Sequence, residues 1–206
     1  MKISFDHVCY TSKPDNEDVV RISKRIAESI YTIGNTYETA EKIGKYGNSW
    51  CPASFIGEKR RVENFEQMQL FALDFDGGVT WDEVYQQSIN YRTPILFAYE
   101  TFSSINQSKF RVVFKNDIPI TDIKTANVII LALMAIFKGC DQQCKDVSRL
   151  FYGGKDLIYF NESIPTINIE SLIMNMVLFT KQEYGVTHYL RKLGSFAKKN
   201  RFKFQF

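Results

Sequence analysis

Asp74 and Asp76 close an apolar run in the segment FALDFDGGVT, residues 71–80. In a strand, residues i and i+2 project to the same face, so both carboxylates point one way while Phe71, Leu73 and Phe75 face the other or cover the flanks. Two carboxylates on one face repel each other unless a cation sits between them. Mg²⁺ or Mn²⁺ suits that position, since hard divalent ions prefer oxygen ligands and often hold substrate phosphates at the same time. The competing reading is an exposed strand end, with two solvated acids running into Gly77-Gly78.

Other chemistry-bearing residues are more scattered. His7-x-Cys9 and Cys140-x₃-Cys144 could supply zinc ligands, but neither spacing is a standard one, so ordinary thiols are expected and zinc is not. The four cysteines do not form a disulfide framework in a chain of this size. Lys59, Arg60 and Arg61 form a basic cluster that is either a solvated turn or a contact for nucleic acid or triphosphate. The last sixteen residues hold Arg191, Lys192, Lys198, Lys199, Arg201 and Lys203 without an acid, interleaved with Phe196, Phe202, Phe204 and Phe206. Such a tail could grip a phosphate backbone and stack bases, with Lys198, Lys199 and Arg201 as its nearest cations; a solvated helix face running into a linker is the alternative.

With 26 Lys plus Arg against 23 Asp plus Glu, the net charge of +3 does not by itself argue for nucleic acid. The 206 residues can bury a real core within one domain. No secretory or membrane-spanning segment is read, the longest apolar stretch, Val128 to Phe137, being too short to span a bilayer. A cytoplasmic protein without a membrane partner is expected.

The elements that must position Asp74 and Asp76 follow from periodicity. Residues 1–65 read as an N-terminal α/β layer, with a strand from Lys2 to Tyr10 and a helix carrying Val19, Ile22, Ile26 and Ile30 at helical spacing. Residues 66–160 read as a core: a strand from Met68 to Asp76, a helix opened by the capping box Thr80-Trp81-Asp82-Glu83, and strands from Pro94 to Glu100 and Lys109 to Phe114. A long apolar helix from Thr121 to Phe137 follows, then a strand or strand pair within Arg149–Tyr152 and Asp156–Phe160. Residues 161–206 read as C-terminal helices, Ile169 to Tyr184 and Thr187 to Lys199, with the basic tail. The fold class is therefore α+β, with an RRM-like split β-α-β core in the order β-α-β-β-α-β.

In that arrangement the first core strand lies between the third and the fourth. The end bearing Asp74 and Asp76 then meets Lys109 and Arg111, an i, i+2 pair at the start of the third strand. It also meets Asp141, Asp146 and Arg149 on the approach to the fourth. Acids for divalent ions and cations for the remaining phosphate oxygens are what a metal-chelated triphosphate requires.

FALDFDGG, TFSSINQSKFRVVF and GCDQQCKDVSRLFYGGKD resemble, in this order, the three catalytic motifs of archaeo-eukaryotic primases in the form found in primase-polymerase domains of phage and plasmid replication proteins. The resemblance covers roughly residues 45–160. It implies template-directed nucleotidyl transfer with two Mg²⁺ or Mn²⁺ ions, Asp74 and Asp76 supplying the first motif and Asp141 the third-motif carboxylate, with Asp146 as competitor. Many members carry Ser-x-His in the second motif, where this chain has Lys109-Phe110-Arg111. Arg111 can replace the phosphate contact of the histidine but cannot transfer a proton near neutral pH. Arg149 matches the basic residue after the third motif, Lys155 is placed to assist it, and Ser103 or Ser104 would add hydrogen bonds to the triphosphate. The implied partners are a single-stranded DNA template, ribo- or deoxyribonucleoside triphosphates and a helicase domain or protein, the basic end at Phe206 suggesting a domain cut from a longer chain.

Two other readings compete. DFDGGVT is similar to the nucleophile motif of haloacid-dehalogenase-like phosphatases, but Gly78 replaces a threonine there. The eight residues between Glu100 and Lys109 are also too few to join consecutive parallel strands. A replication-initiator or single-strand-binding module on the same fold, without activity, is supported by the missing histidine and opposed by the intact Asp74, Asp76 and Asp141.

Overall fold

Residues Phe65–Phe75 form an eleven-residue strand whose last eight positions, Met68 to Phe75, are all buried. Successive side chains of a strand face opposite sides, so burial of every one means that both faces of this strand are covered. The structure, a computed structural model, describes residues 1–57 and 59–177. Its elements are β1 (Lys2–Phe5), α1 (Asn16–Glu28), β2 (Ile30–Thr32), α2 (Thr36–Gly44), β3 (Trp50–Cys51), β4 (Ala53–Phe55), β5 (Phe65–Phe75), α3 (Trp81–Asn90), β6 (Phe97–Thr101), β7 (Phe110–Ile120), α4 (Ile123–Ile136) and β8 (Gly154–Phe160). One sheet has the order β2-β1-β3 and the other β4-β5-β7-β6-β8, with every named pairing antiparallel. Helix α4 packs on β5 and β7, while β1 packs on β4 and β5, and α2 on β6 and β8.

The expected β-α-β-β-α-β order is present from β5 to β8. Strands β5 and β6 are parallel with β7 between them, which is the split β-α-β unit, and α3 opens on the expected capping box. The place of the fourth strand differs from expectation. Strand β8 pairs with β6 at the far edge, and β4 takes the position beside β5. A strand joined to β5 by a short connection closes a smaller loop than one that must return from beyond α4. Strand β4 covers only the first part of β5, since its partners run from Phe65 to Met68. The free edge near Asp74 is filled by the segment after α4: Asp141 N donates to Asp74 O at 2.8 Å, and Asp74 N donates to Cys144 Sγ at 3.3 Å. The loop expected to approach the first strand therefore reaches it, although its strand does not.

Smaller departures have local causes. The first strand stops at Phe5 rather than Tyr10, because the Asp6 carboxylate turns inward to Arg25 and also accepts from Val8 N at 3.1 Å. Ile30 opens β2 instead of closing α1, whose cap at Ser29 is extended. Within Arg149–Tyr152 only Phe151 pairs, in an isolated bridge to Trp50. This crossing needs bare backbone: a Cβ on Gly153 would stand 2.2 Å from Gly47 C. The two glycines let the chain carry Arg149 and Tyr152 over the end of α2 toward β5. Residues 169–177 are helical, at the start of the expected Ile169 to Tyr184 helix; the rest of that helix, the Thr187 to Lys199 helix and the basic tail lie outside the described residues.

Candidate active site

Register places the central pair. Asp74 on β5 lies directly opposite Arg111 on β7, and Phe75 lies opposite Phe110 with stacked rings 5.0 Å apart. Alternation therefore sends the charged pair to one face and the rings to the other. Arg111 Nε donates to Asp74 Oδ1 at 2.9 Å and Arg111 Nη2 to Oδ2 at 3.3 Å, a bidentate fork. Arg149 Nη2 bridges Asp74 Oδ2 at 2.9 Å and Asp141 Oδ2 at 2.7 Å. Lys109 Nζ stands 3.9 Å from Asp76 Oδ1.

The three expected acids thus converge. One carboxylate oxygen from each of Asp74, Asp76 and Asp141 lies within 4.8 Å of the others. Access is graded, the side chains being 3%, 28% and 60% exposed for Asp74, Asp141 and Asp76. Asp146, the competitor for the third position, is not brought in; its Oδ1 accepts from Ser148 N at 2.9 Å and Ser148 Oγ at 2.8 Å. Burial pushes the Asp141 carboxyl up, but the Gln143 N–H and the Arg149 guanidinium outweigh it and hold the group below its ordinary value. Arg111 is raised: burial would discharge it, and Tyr99 and Asp74 overcome that tendency. Three carboxylates on one cation position form a hard oxygen donor set that fits Mg²⁺ or Mn²⁺.

Around this cluster lies a cavity of about 200 Å³ lined by Lys13, Asp74, Asp76, Thr101, Phe102, Ser103, Arg111, Arg149, Tyr152 and Gly153. Its cations face the acids, and the Nη1 atom of Arg149 is buried without a hydrogen-bond partner among the described residues. Of the expected hydrogen-bonding serines, Ser103 is exposed at the cavity. Ser104 is buried, with its Oγ accepting from Lys109 N at 2.9 Å. Lys155 is engaged with Ser104 O at 2.8 Å and Glu100 Oε1 at 3.5 Å, so it braces the 101–109 loop.

Sequence reasoning missed several participants. The Tyr152 carbonyl accepts from Arg111 Nη1 and from the Tyr99 hydroxyl, which in turn accepts from Trp50 Nε1 at 3.1 Å. Tyr99 and Phe151 also lie under the Arg111 guanidinium, at 5.8 and 5.5 Å from ring centroid to Cζ. Lys13, in a Pro-containing turn, carried no signal of its own; the Gly153-Gly154 pair did, as a demand for close backbone approach. Lys59 and Arg61 are exposed and Arg60 is half-buried, its charge acting on Tyr152; Lys198, Lys199 and Arg201 lie outside the described residues. Cys140 and Cys144 are buried thiols pushed up to about 12 and about 11, chiefly by burial, while His7 and Cys9 line a separate cavity with Glu38 and Glu41.

No protein-family model matches the chain, and no curated protein matches it in sequence. Among solved structures, it is similar to the archaeo-eukaryotic primase domain of the cyanophage S-2L primase-polymerase. The match has a TM-score of 0.51 at 12% identity and covers 85% of this chain and 88% of that one. At that identity the likeness is one of fold: the chain has a primase-polymerase-like α+β architecture. No helix among the described residues is long and apolar enough to cross a membrane.

Proposed function

We propose that this protein is a DNA primase-polymerase domain that transfers nucleotides from nucleoside triphosphates to a 3′-hydroxyl on a single-stranded DNA template. The observation that carries the reading is the convergence of Asp74, Asp76 and Asp141 within 4.8 Å beside a cationic cavity, on a fold similar to that of a primase-polymerase. In the transfer, the 3′-oxygen bonds to the α-phosphorus as the bond from that phosphorus to the bridging oxygen breaks. Pyrophosphate leaves with the electron pair, and the hydroxyl proton passes to solvent.

Asp74, Asp76 and Asp141 would hold a pair of Mg²⁺ or Mn²⁺ ions, which supply a lowered pKa at the attacking hydroxyl and neutralise the leaving pyrophosphate. Lys109, Arg111 and Arg149 balance the three acids one for one. Arg149, held to two acids at once and with an orphaned Nη1, is the group best placed to exchange a carboxylate for a phosphate oxygen. Arg111, forked and stacked, would stay fixed and orient Asp74, with its positive field on the triphosphate. Ser103 and Lys13 at the cavity wall would add hydrogen bonds and charge.

Incubation of the protein with primed and unprimed single-stranded DNA, labelled triphosphates and Mg²⁺ or Mn²⁺ tests the proposal. Metal-dependent, template-directed products are expected. Their absence with both metals and both sugar types would overturn it.

A further inference from the structure

A second cavity, of about 450 Å³, follows the first along the same two loops. The cationic cavity ends at Asp76 and Ser103; the second begins at Gly77 and Asn106 and is lined by Gly77, Gly78, Val79, Thr80, Trp81, Asp82, Asn106, Gln107 and Ser108. Its chemistry is different. No cation lines it, its amides and hydroxyls are uncharged, and its one charged lining residue is Asp82.

Phosphate is a poor occupant. The Thr80 N–H at the mouth of α3 is taken by Glu83 Oε2 at 2.7 Å, and the Glu83 N–H is taken by Thr80 Oγ1. Asp82 and Glu83 in the first turn add repulsion for an anion. A nucleoside is a good one. Trp81 is half-buried, packed against Tyr85, Phe110 and Tyr159, and its remaining exposed aromatic surface lines the cavity; Asn106 and Gln107 carry side-chain amides that can pair with base or sugar edges; Gly78 leaves its approach open, with nothing within 4 Å of where a Cβ would stand.

The place of this cavity in the reaction follows from in-line displacement, in which the attacking oxygen enters opposite the leaving group. If pyrophosphate leaves over Lys13, Arg111 and Arg149, attack comes from the uncharged side of Asp76. We infer that the cavity between residues 77–82 and 106–108 receives the nucleoside that carries the attacking 3′-hydroxyl, namely the 3′-terminal nucleoside of the primer. This assignment rests on the nucleotidyl-transfer reading for its chemistry, but the ligand class follows from the lining alone.

Two arms test it. Trp50 is fully buried and Trp81 is the other tryptophan of the chain, so quenching of the tryptophan emission by an added strand reports on Trp81. A primed template without metal or triphosphate should quench it, and a nucleoside triphosphate with Mg²⁺ should not; the reverse pattern overturns the inference whether or not the protein is a polymerase. In the extension assay, Trp81→Leu keeps an apolar contact for Tyr85, Phe110 and Tyr159 but removes the aromatic face, and Asn106→Asp keeps a residue type that tolerates the left-handed backbone (φ 52). Both should raise the KM for primer, Trp81→Leu by about tenfold, with the KM for triphosphate unchanged. A raised triphosphate KM with unchanged primer KM would give the cavity to the incoming nucleoside and overturn the assignment. Wild-type protein without any transfer activity would remove the proposed function, leaving the quenching arm to decide the ligand.

Discussion

Two buried aspartates in this chain are held by arginine forks, and they serve different ends. Asp6, fully buried, takes Arg25 Nε at 2.7 Å and Nη2 at 2.9 Å, with the same Nη2 reaching Tyr10 Oη at 2.9 Å. Asp74 takes Arg111 in the same manner, then shares Arg149 with Asp141 and has a carboxylate oxygen within 4.8 Å of one of Asp76. The Asp6 pair is closed: one acid, one cation, and a phenol that accepts from the same guanidinium. The Asp74 group is open: three acids and three cations meet at one place, and they border a cavity. A buried pair that is complete holds elements together; ionised groups of both signs gathered at a cavity can exchange a partner for a ligand.

The largest predicted contrast is catalytic. Asp74→Asn should lower nucleotidyl transfer at least ~10³-fold with the protein still folded, since metal stabilisation of developing charge is worth several kcal/mol. Asp6→Asn, assayed per folded molecule by active-site-independent quantitation, should stay near wild type. Equal losses at both positions would erase the distinction drawn between them.

Stability should show the opposite ranking. Arg25→Ala strands a buried Asp6 carboxylate, and because Arg25 is itself about a third exposed the cost belongs at the low end for such a loss, about 2 kcal/mol by denaturant unfolding. An unchanged unfolding midpoint would mean that the fork contributes nothing net to the fold.

Arg111→Lys should act more mildly, raising the triphosphate KM by about tenfold, because a lysine keeps the charge and loses the fork on Asp74. Steady-state kinetics with varied triphosphate reads it. A KM equal to wild type would show that the fork geometry is dispensable to triphosphate binding.

The smallest effect concerns another complete pair, Lys2 Nζ to Glu66 Oε1 at 2.8 Å, which ties β1 to β5. Lys2, then Ser54, holds the Glu66 carboxyl below its ordinary value. A depressed folded pKa means that the tie contributes above the unfolded value and is lost as pH falls through the folded one. Glu66→Gln should therefore flatten the acid limb of the stability curve slightly and leave transfer untouched. An acid limb identical to wild type would contradict this.

The open site is more legible in sequence than the closed one. Asp74-x-Asp76 shows because strand alternation puts i and i+2 on one face, and Thr80 to Glu83 shows because a capping box is local. Asp141 is reachable through motif order, with Asp146 as its competitor, and the hydrogen bond that pins the Asp141 backbone to β5 is not visible in sequence. Arg111 can be placed on a strand, but its pairing with Asp74 depends on a register set by the whole β5–β7 ladder. Sequence puts strand β8 on the wrong edge because nothing local records which edge β4 fills. Asp6 and Arg25 give no sign, since their fork joins a strand exit to a helix face nineteen positions away.

Thermal stability with Mn²⁺ and a nucleoside triphosphate, added singly and together, distinguishes a metal and triphosphate site at the Asp74 cluster from a purely structural fork at Asp6. Ligand at a hundredfold over Kd stabilises by about 2.7 kcal/mol, a rise of several degrees for a chain of this size. That rise is expected in wild type and in Asp6→Asn only when both ligands are present, and is expected to be lost in Asp76→Asn. A rise that survives in Asp76→Asn, or none in wild type, would contradict a metal and triphosphate site at the Asp74 cluster.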